Sequence, residues 1–126
     1  KYPNYDGKNI FLRDDKKRNY YLVTFLGDKK VDLKKFRIDN CLRHLSFANA
    51  IELDTCLKLI PGSVTPLGLL NDKEKIVKFY IDEEFFKDPF MIGVHPNDNS
   101  ATVWLNVNDL INIIKNNGNE VHITKI

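Results

Sequence analysis

The sequence predicts a single α/β (α+β) domain in which a mixed β-sheet is flanked by helices. Three observations carry that expectation. Short runs rich in β-branched and aromatic residues alternate along the chain with segments whose apolar residues recur at helical spacing. The chain has 126 residues, 43% of them hydrophobic and 29% charged, enough to bury one core and too apolar for disorder. No repeat, linker or low-complexity tract divides it, so one domain spans residues 1–126.

The elements follow in order. Ile10-Phe11-Leu12 reads as a short strand, and residues 14–19 as a polar hairpin loop. Residues 20–26 form a nearly continuous β-branched and aromatic run, the pattern of a strand covered on both faces. A turn at Gly27-Asp28-Lys29-Lys30 leads into residues 31–38, an element whose type the pattern leaves open. Asn49 and Glu52 make a capping box, with Ala48 and Leu53 as a staple. Leu53, Cys56, Leu57 and Ile60 continue that helix at one face, and Pro61-Gly62 stops it.

Residues 76–81 read as a further strand and 82–87 as a short acidic helix. Strands at 90–94 and 101–105 flank a polar loop that begins His95-Pro96. Val107, Leu110, Ile111 and Ile114 give the last helix an apolar stripe, and Gly118 stands where a C-terminal cap belongs. Residues 121–126 alternate as a strand with one face in and one face out, which puts His122 on the outward phase.

Composition narrows the function classes. No apolar run approaches the roughly 18 residues needed to span a bilayer, and Lys1-Tyr2-Pro3-Asn4-Tyr5 is no signal peptide. Cys41 and Cys56 form neither a disulfide framework nor a C-x-x-C pair, so a reducing cytoplasm is the expected setting. Both read as structural thiols without an adjacent activator. The net charge of +2 conceals an asymmetry: residues 1–45 hold twelve Lys/Arg against six Asp/Glu (+6), and residues 46–126 hold seven against eleven (−4). Solvated loops account for the clusters Lys16-Lys17-Arg18, Lys29-Lys30 and Lys34-Lys35. A face that attracts a polyanion such as RNA accounts for them as well.

Two loops carry the candidate chemistry. His95 lies in a polar loop between strands, a place where scaffolds present functional groups. No second ligand stands at zinc spacing, so a metal hydrolase centred on His95 is not expected and no metal or cofactor is called for. Gly62-Ser63-Val64-Thr65-Pro66-Leu67-Gly68 carries two glycines and a proline, and can bring backbone N–H groups close to a ligand. It is neither a phosphate-binding Walker loop nor a dinucleotide fingerprint, and no nucleophile elbow surrounds Ser63 or Thr65.

Three segments, taken together and in this order, resemble the YbaK/ProX superfamily of aminoacyl-tRNA editing domains. They are Lys8-Asn9-Ile10-Phe11-Leu12-Arg13-Asp14, then Leu45-Ser46-Phe47-Ala48 through Gly62-Ser63-Val64-Thr65-Pro66-Leu67-Gly68-Leu69, and Ile92-Gly93-Val94-His95-Pro96-Asn97-Asp98-Asn99-Ser100-Ala101-Thr102. Within the superfamily the likeness is to the free-standing prolyl-tRNA deacylases. It implies a mixed, curved sheet and hydrolysis, in trans, of the ester joining a wrong amino acid to tRNA(Pro). Alanine is the amino acid this branch implies, and cysteine the alternative. A tRNA-acceptor-end or regulatory binding module that kept the fold without the activity is the other reading.

The resemblance also implies roles. Lys8 matches the essential lysine and Asn9 the polar residue beside it. Gly62, Ser63, Val64, Thr65 and Pro66, with Gly68 beyond, match the loop that meets the substrate, and Gly62 would take part in catalysis. Gly93, His95 and Pro96 match the segment that lines the amino-acid pocket. Such families are thought to use the terminal ribose hydroxyl in activating water, which suits a chain without a nucleophile–base pair. The partner implied is the acceptor end of tRNA(Pro), with basic residues of the first third on its phosphates. Relatives carry further residues before the lysine motif, so the chain is expected to lack the usual N-terminal segment.

Overall fold

The computed structural model describes residues 5–95 and 101–126. Its centre is a five-stranded sheet in the order β3-β1-β2-β4-β7, formed by β1 (Gly7–Asp14), β2 (Tyr20–Leu26), β3 (Leu45–Phe47), β4 (Val77–Asp82) and β7 (Val121–Thr124). β1 is antiparallel to both β2 and β3, whereas β4 is parallel to β2 and β7 is parallel to β4. The sheet is therefore mixed. A separate antiparallel pair, β5 (Met91–Val94) and β6 (Val103–Asn106), stands beside it.

The strands alternate their side chains between two cores. Phe11, Leu22, Phe79 and Ile81 point into the larger one, where Leu53 and Leu57 of α2 (Ala50–Leu57) and Leu110 and Ile114 of α3 (Val107–Asn117) meet them. Leu12, Tyr21, Val23 and Tyr80 point to the other face, covered by Phe36 of α1 (Leu33–Asp39). The expectation that residues 20–26 are covered on both faces is borne out. Glu52 ties α2 to the sheet by an ion pair with Arg13 Nε at 3.2 Å and by accepting from the Tyr20 hydroxyl at 3.0 Å.

Several local expectations are corrected. The element left open at 31–38 is a helix, because Asp32 caps it and accepts from the backbone N–H of Lys34 and Lys35. The capping box at Asn49 and Glu52 forms, but the helix ends at Leu57 rather than at Pro61-Gly62. Lys58 adopts a left-handed conformation with φ of 57°, which turns the chain, buries Leu59 (3% exposed) and leaves Ile60 outside (66% exposed). The acidic segment at 82–87 is a single 3₁₀ turn over Glu83–Phe85. β3, three residues long, is too short for the pattern to reveal. The ring of His122 stacks on Tyr80 with centroids 4.4 Å apart, since the sheet's second face is covered too. Gly118 caps α3 with φ of 101°, as expected.

Candidate active site

β3 pairs with β1 only from Leu12 to Asp14 and Gly93 bridges Asp6 just before β1, so the stretch of β1 between them forms an open edge. A cleft of about 290 Å³ lies there. Lys8, Asn9, Gly62, Val64 and His95 line it, with Ile10 and Phe25 as its apolar part. Lys8 and Asn9 emerge on opposite faces of β1 by the period of two, and both border the cleft because it wraps the open edge.

Hydrogen bonds join the three segments. Asn9 Nδ2 donates to the Val64 carbonyl at 3.2 Å and to the Gly7 carbonyl at 3.4 Å, while its Oδ1 accepts from the Thr24 hydroxyl at 2.5 Å. Every polar atom of the Asn9 side chain is thus engaged within the protein. The Thr65 hydroxyl donates to the His95 carbonyl and so clamps the third segment to the second. His95 Nδ1 lies 2.7 Å from the Ala101 carbonyl. A carbonyl can only accept, so Nδ1 carries a proton, and Nε2 is the ring nitrogen turned to other partners.

The remaining expected site residues support the walls. Thr65 and Pro66 are buried, and Pro66 opens the 3₁₀ turn Pro66–Asn71, capped by the Thr65 side chain. Gly68 is packed so closely that a Cβ there would come within 2.5 Å of Leu59 Cδ1. Gly93 is bridged to Asp6, and its N–H donates to the Tyr5 carbonyl at 3.0 Å. Ser63 is buried and its N–H donates to the Ile60 carbonyl at 3.1 Å, whereas the Gly62 and Val64 N–H groups have no protein acceptor among the described residues. Gly62 adopts φ of 89°, and a Cβ there would meet nothing within 4 Å. The space above the loop is open. Pro96 lies outside the described residues.

Lys8 is exposed and its ammonium has no ion-pair or hydrogen-bond partner among the described residues. No cluster of metal-ligating side chains occurs among them either. Sequence reasoning missed Thr24. It is the one polar residue inside an otherwise apolar and aromatic β2, and that interruption was the available signal.

Residues 7–113 match the family model of the aminoacyl-tRNA editing domain. The chain is 45% identical over 116 residues to the prolyl-tRNA editing protein ProX of Acetoanaerobium sticklandii, covering 92% of this chain and 70% of that protein. It is 34% identical over 116 residues to prolyl-tRNA synthetase associated domain-containing protein 1 of Bos taurus, covering 90% of this chain and 67% of that one. A solved structure of a candidate trans-editing enzyme for prolyl tRNA synthetase superimposes with a TM-score of 0.72 at 20% identity, over 96% of this chain and 70% of that one. A scaffold used for epitope backbone grafting superimposes at 0.74 with 18% identity, over 98% and 72%. The structural likenesses bear out the fold, and the family model and the sequence identities bear out the resemblance. The chain belongs to the aminoacyl-tRNA editing domain family and is an aminoacyl-tRNA deacylase of the ProX type.

Proposed function

We propose that this chain acts in trans on mischarged tRNA(Pro), hydrolysing the ester that holds alanine to the terminal ribose. One observation carries the reading: Asn9 ties the Gly62–Val64 loop to β1 beside a lysine that has no ion-pair partner among the described residues, so a cation and the loop line one cleft. An aminoacyl ester is already activated, so the protein has mainly to position water and stabilise the tetrahedral oxyanion. The Gly62 and Val64 N–H groups are the donors available for that oxygen, because the Ser63 N–H is engaged.

Lys8 holds the carbonyl or the terminal adenosine phosphate. His95 offers Nε2 to the substrate's α-ammonium group and serves as a pocket wall. Asn9, whose polar atoms are all engaged, is a positioning residue that fixes the loop. The cleft's volume of about 290 Å³ suits a small amino-acid side chain next to a ribose. Pocket shape separates two small side chains by only about 1–3 kcal/mol, so the preference is a matter of degree.

The test is a deacylation time course against tRNA(Pro) charged with alanine, cysteine and proline. The reading expects alanyl-tRNA(Pro) to be cleared first and prolyl-tRNA(Pro) to persist. Faster loss of cysteine would reassign the substrate, and no turnover on any of them would leave a binding module.

A further inference from the structure

The basic residues of the first third do not form one patch. Lys29 is paired with buried Asp82 at 2.7 Å and lies 3.8 Å from Glu84, and Lys35 is paired with Asp39 at 2.8 Å. Other cations of this region are left without an acidic partner. On α1, Lys34 and Arg37 line a groove of about 320 Å³ with His44 and with Leu33 and Leu45, and no acidic residue lines it. Among the described residues neither the Lys34 ammonium nor the Arg37 guanidinium has an ion-pair partner.

The hairpin between β1 and β2 continues this groove. Leu45 pairs with Asp14 at the hairpin's base, and Arg43 beside His44 grips Asp15 through Nε at 2.6 Å and Nη2 at 3.1 Å. Both hairpin carboxylates are thereby engaged. Asp15 is taken by Arg43, and Asp14 is buried, accepting from the N–H groups of Lys16 and Arg18 and from Asn19 Nδ2. Lys16, Lys17 and Arg18 stand exposed at the tip. The result is a cationic stripe from Lys34 and Arg37 past His44 to Lys16–Arg18.

Its position sets what it can touch. Lys8 and Asp14 are six residues apart on one strand, about 20 Å at about 3.3 Å per residue, so the groove at Leu45 lies about that far from Lys8. A tRNA whose single-stranded end enters the cleft brings its double-stranded acceptor stem to that distance.

We propose that the α1–β3 groove and the adjoining hairpin are a docking surface for the phosphate backbone of the acceptor-stem duplex, read by charge and shape rather than by base sequence. The inference rests on the deacylase reading for the substrate's orientation. Phosphate contacts of this kind fix register and carry affinity, and their signature is a salt dependence that weakens as contacts are removed.

The test uses the full chain and an uncharged RNA hairpin copying the acceptor arm, with binding followed by fluorescence anisotropy over a salt series. Lys34→Ala/Arg37→Ala is expected to weaken binding roughly tenfold at low salt and to lower the slope of log affinity against log salt by about two. Lys115→Ala, on the helix across the sheet, serves as the control and leaves both unchanged. Deacylation of alanyl-tRNA(Pro) is expected to fall in the double variant, while hydrolysis of 3′-O-alanyl-adenosine, which has no duplex, stays at the parent rate. Unchanged binding and slope overturn the proposal, as does an equal loss on both esters. Because the anisotropy needs no turnover, failure of the deacylase reading would show as inactivity with the binding difference intact.

Discussion

The Thr24 hydroxyl, buried in β2, donates to Asn9 Oδ1 at 2.5 Å across a paired position of the sheet. That bond fixes which way the Asn9 amide faces, so its Nδ2 must point at Val64. Removing it in Thr24→Val leaves Oδ1 without its donor and costs about 1–2 kcal/mol of stability. The Gly62–Val64 loop then loses its anchor, so on the proposed role kcat is expected to fall with little change in KM, and Thr24→Ser to restore it. Chemical denaturation with steady-state deacylation kinetics checks both effects. Wild-type kcat in Thr24→Val would remove Asn9 from its positioning role.

Lys8 is exposed and its ammonium has no ion-pair or hydrogen-bond partner among the described residues. Lys8→Ala is therefore expected to abolish deacylation while the melting temperature stays at the parent value. A thermal melt and a time course on alanyl-tRNA(Pro) decide it, and unchanged turnover would exclude the proposed contact.

Two glycines of the site fail differently when replaced. Gly62→Ala meets no neighbour but forces an L-residue to φ of 89°, a strain of about 1–2 kcal/mol that tilts a candidate oxyanion donor. Gly93→Ala would bring a Cβ within 2.8 Å of Trp104 Cζ3 and 3.0 Å of Asp6 Oδ1, so these side chains or β5 must shift. The first variant is expected to lose kcat and keep most of its stability. The second is expected to lose stability as well, read from urea midpoints.

Asp14 supplies a pH test. Burial pushes its carboxyl up, but hydrogen bonds from Asn19 and from the Arg18, Asn19 and Lys16 backbone region outweigh this and hold it below its ordinary 3.8. A carboxyl lowered in the folded state stabilises above its unfolded value, and that contribution disappears as pH falls through the folded one. Asp14→Asn sets an amide donor against the Asn19 donor and is expected to be about 1–2 kcal/mol less stable at neutral pH. The gap should close on acidification below 3.8. A gap that is constant with pH in urea titrations would refute the assignment.

The cysteines differ in access. Cys41 is exposed, whereas Cys56 is buried on α2 and burial pushes its thiol up to about 11. Iodoacetamide at neutral pH is expected to modify Cys41 alone, by peptide mass, without loss of deacylation.

The sequence made legible whatever depends on local pattern. β2, the capping box at Asn49 and Glu52, the stripe of α3 and its Gly118 cap can each be read from residues close together in the chain. The early end of α2 was hidden because the turn rests on Lys58 in a left-handed conformation, which its residue type does not announce. β3 was hidden because its three residues gain their strand character from pairing with β1. At the site, resemblance brought Lys8, the Gly62 loop and His95 together. It could not reveal Thr24, whose part depends on register between two strands. Nor could charge counting separate Lys29 and Lys35, neutralised by partners distant or near, from Lys34 and Arg37, which have no ion-pair partner among the described residues.

The shortness of β3 has a consequence for how the protein behaves in a crowd. Phe11 offers its carbonyl outward to Ala48, so by the same period the backbone groups of Asn9 face outward in the gap between the end of β3 and the Asp6–Gly93 bridge. A strand rim of this sort invites pairing with a rim of another copy. Here the Asn9 amide folds back over the Gly7 carbonyl and draws the Val64 segment across the rim, and the charge of Lys8 sits beside it. The groups that shape the cleft therefore also cover that rim, so Asn9→Ala is expected to raise self-association, read by light scattering.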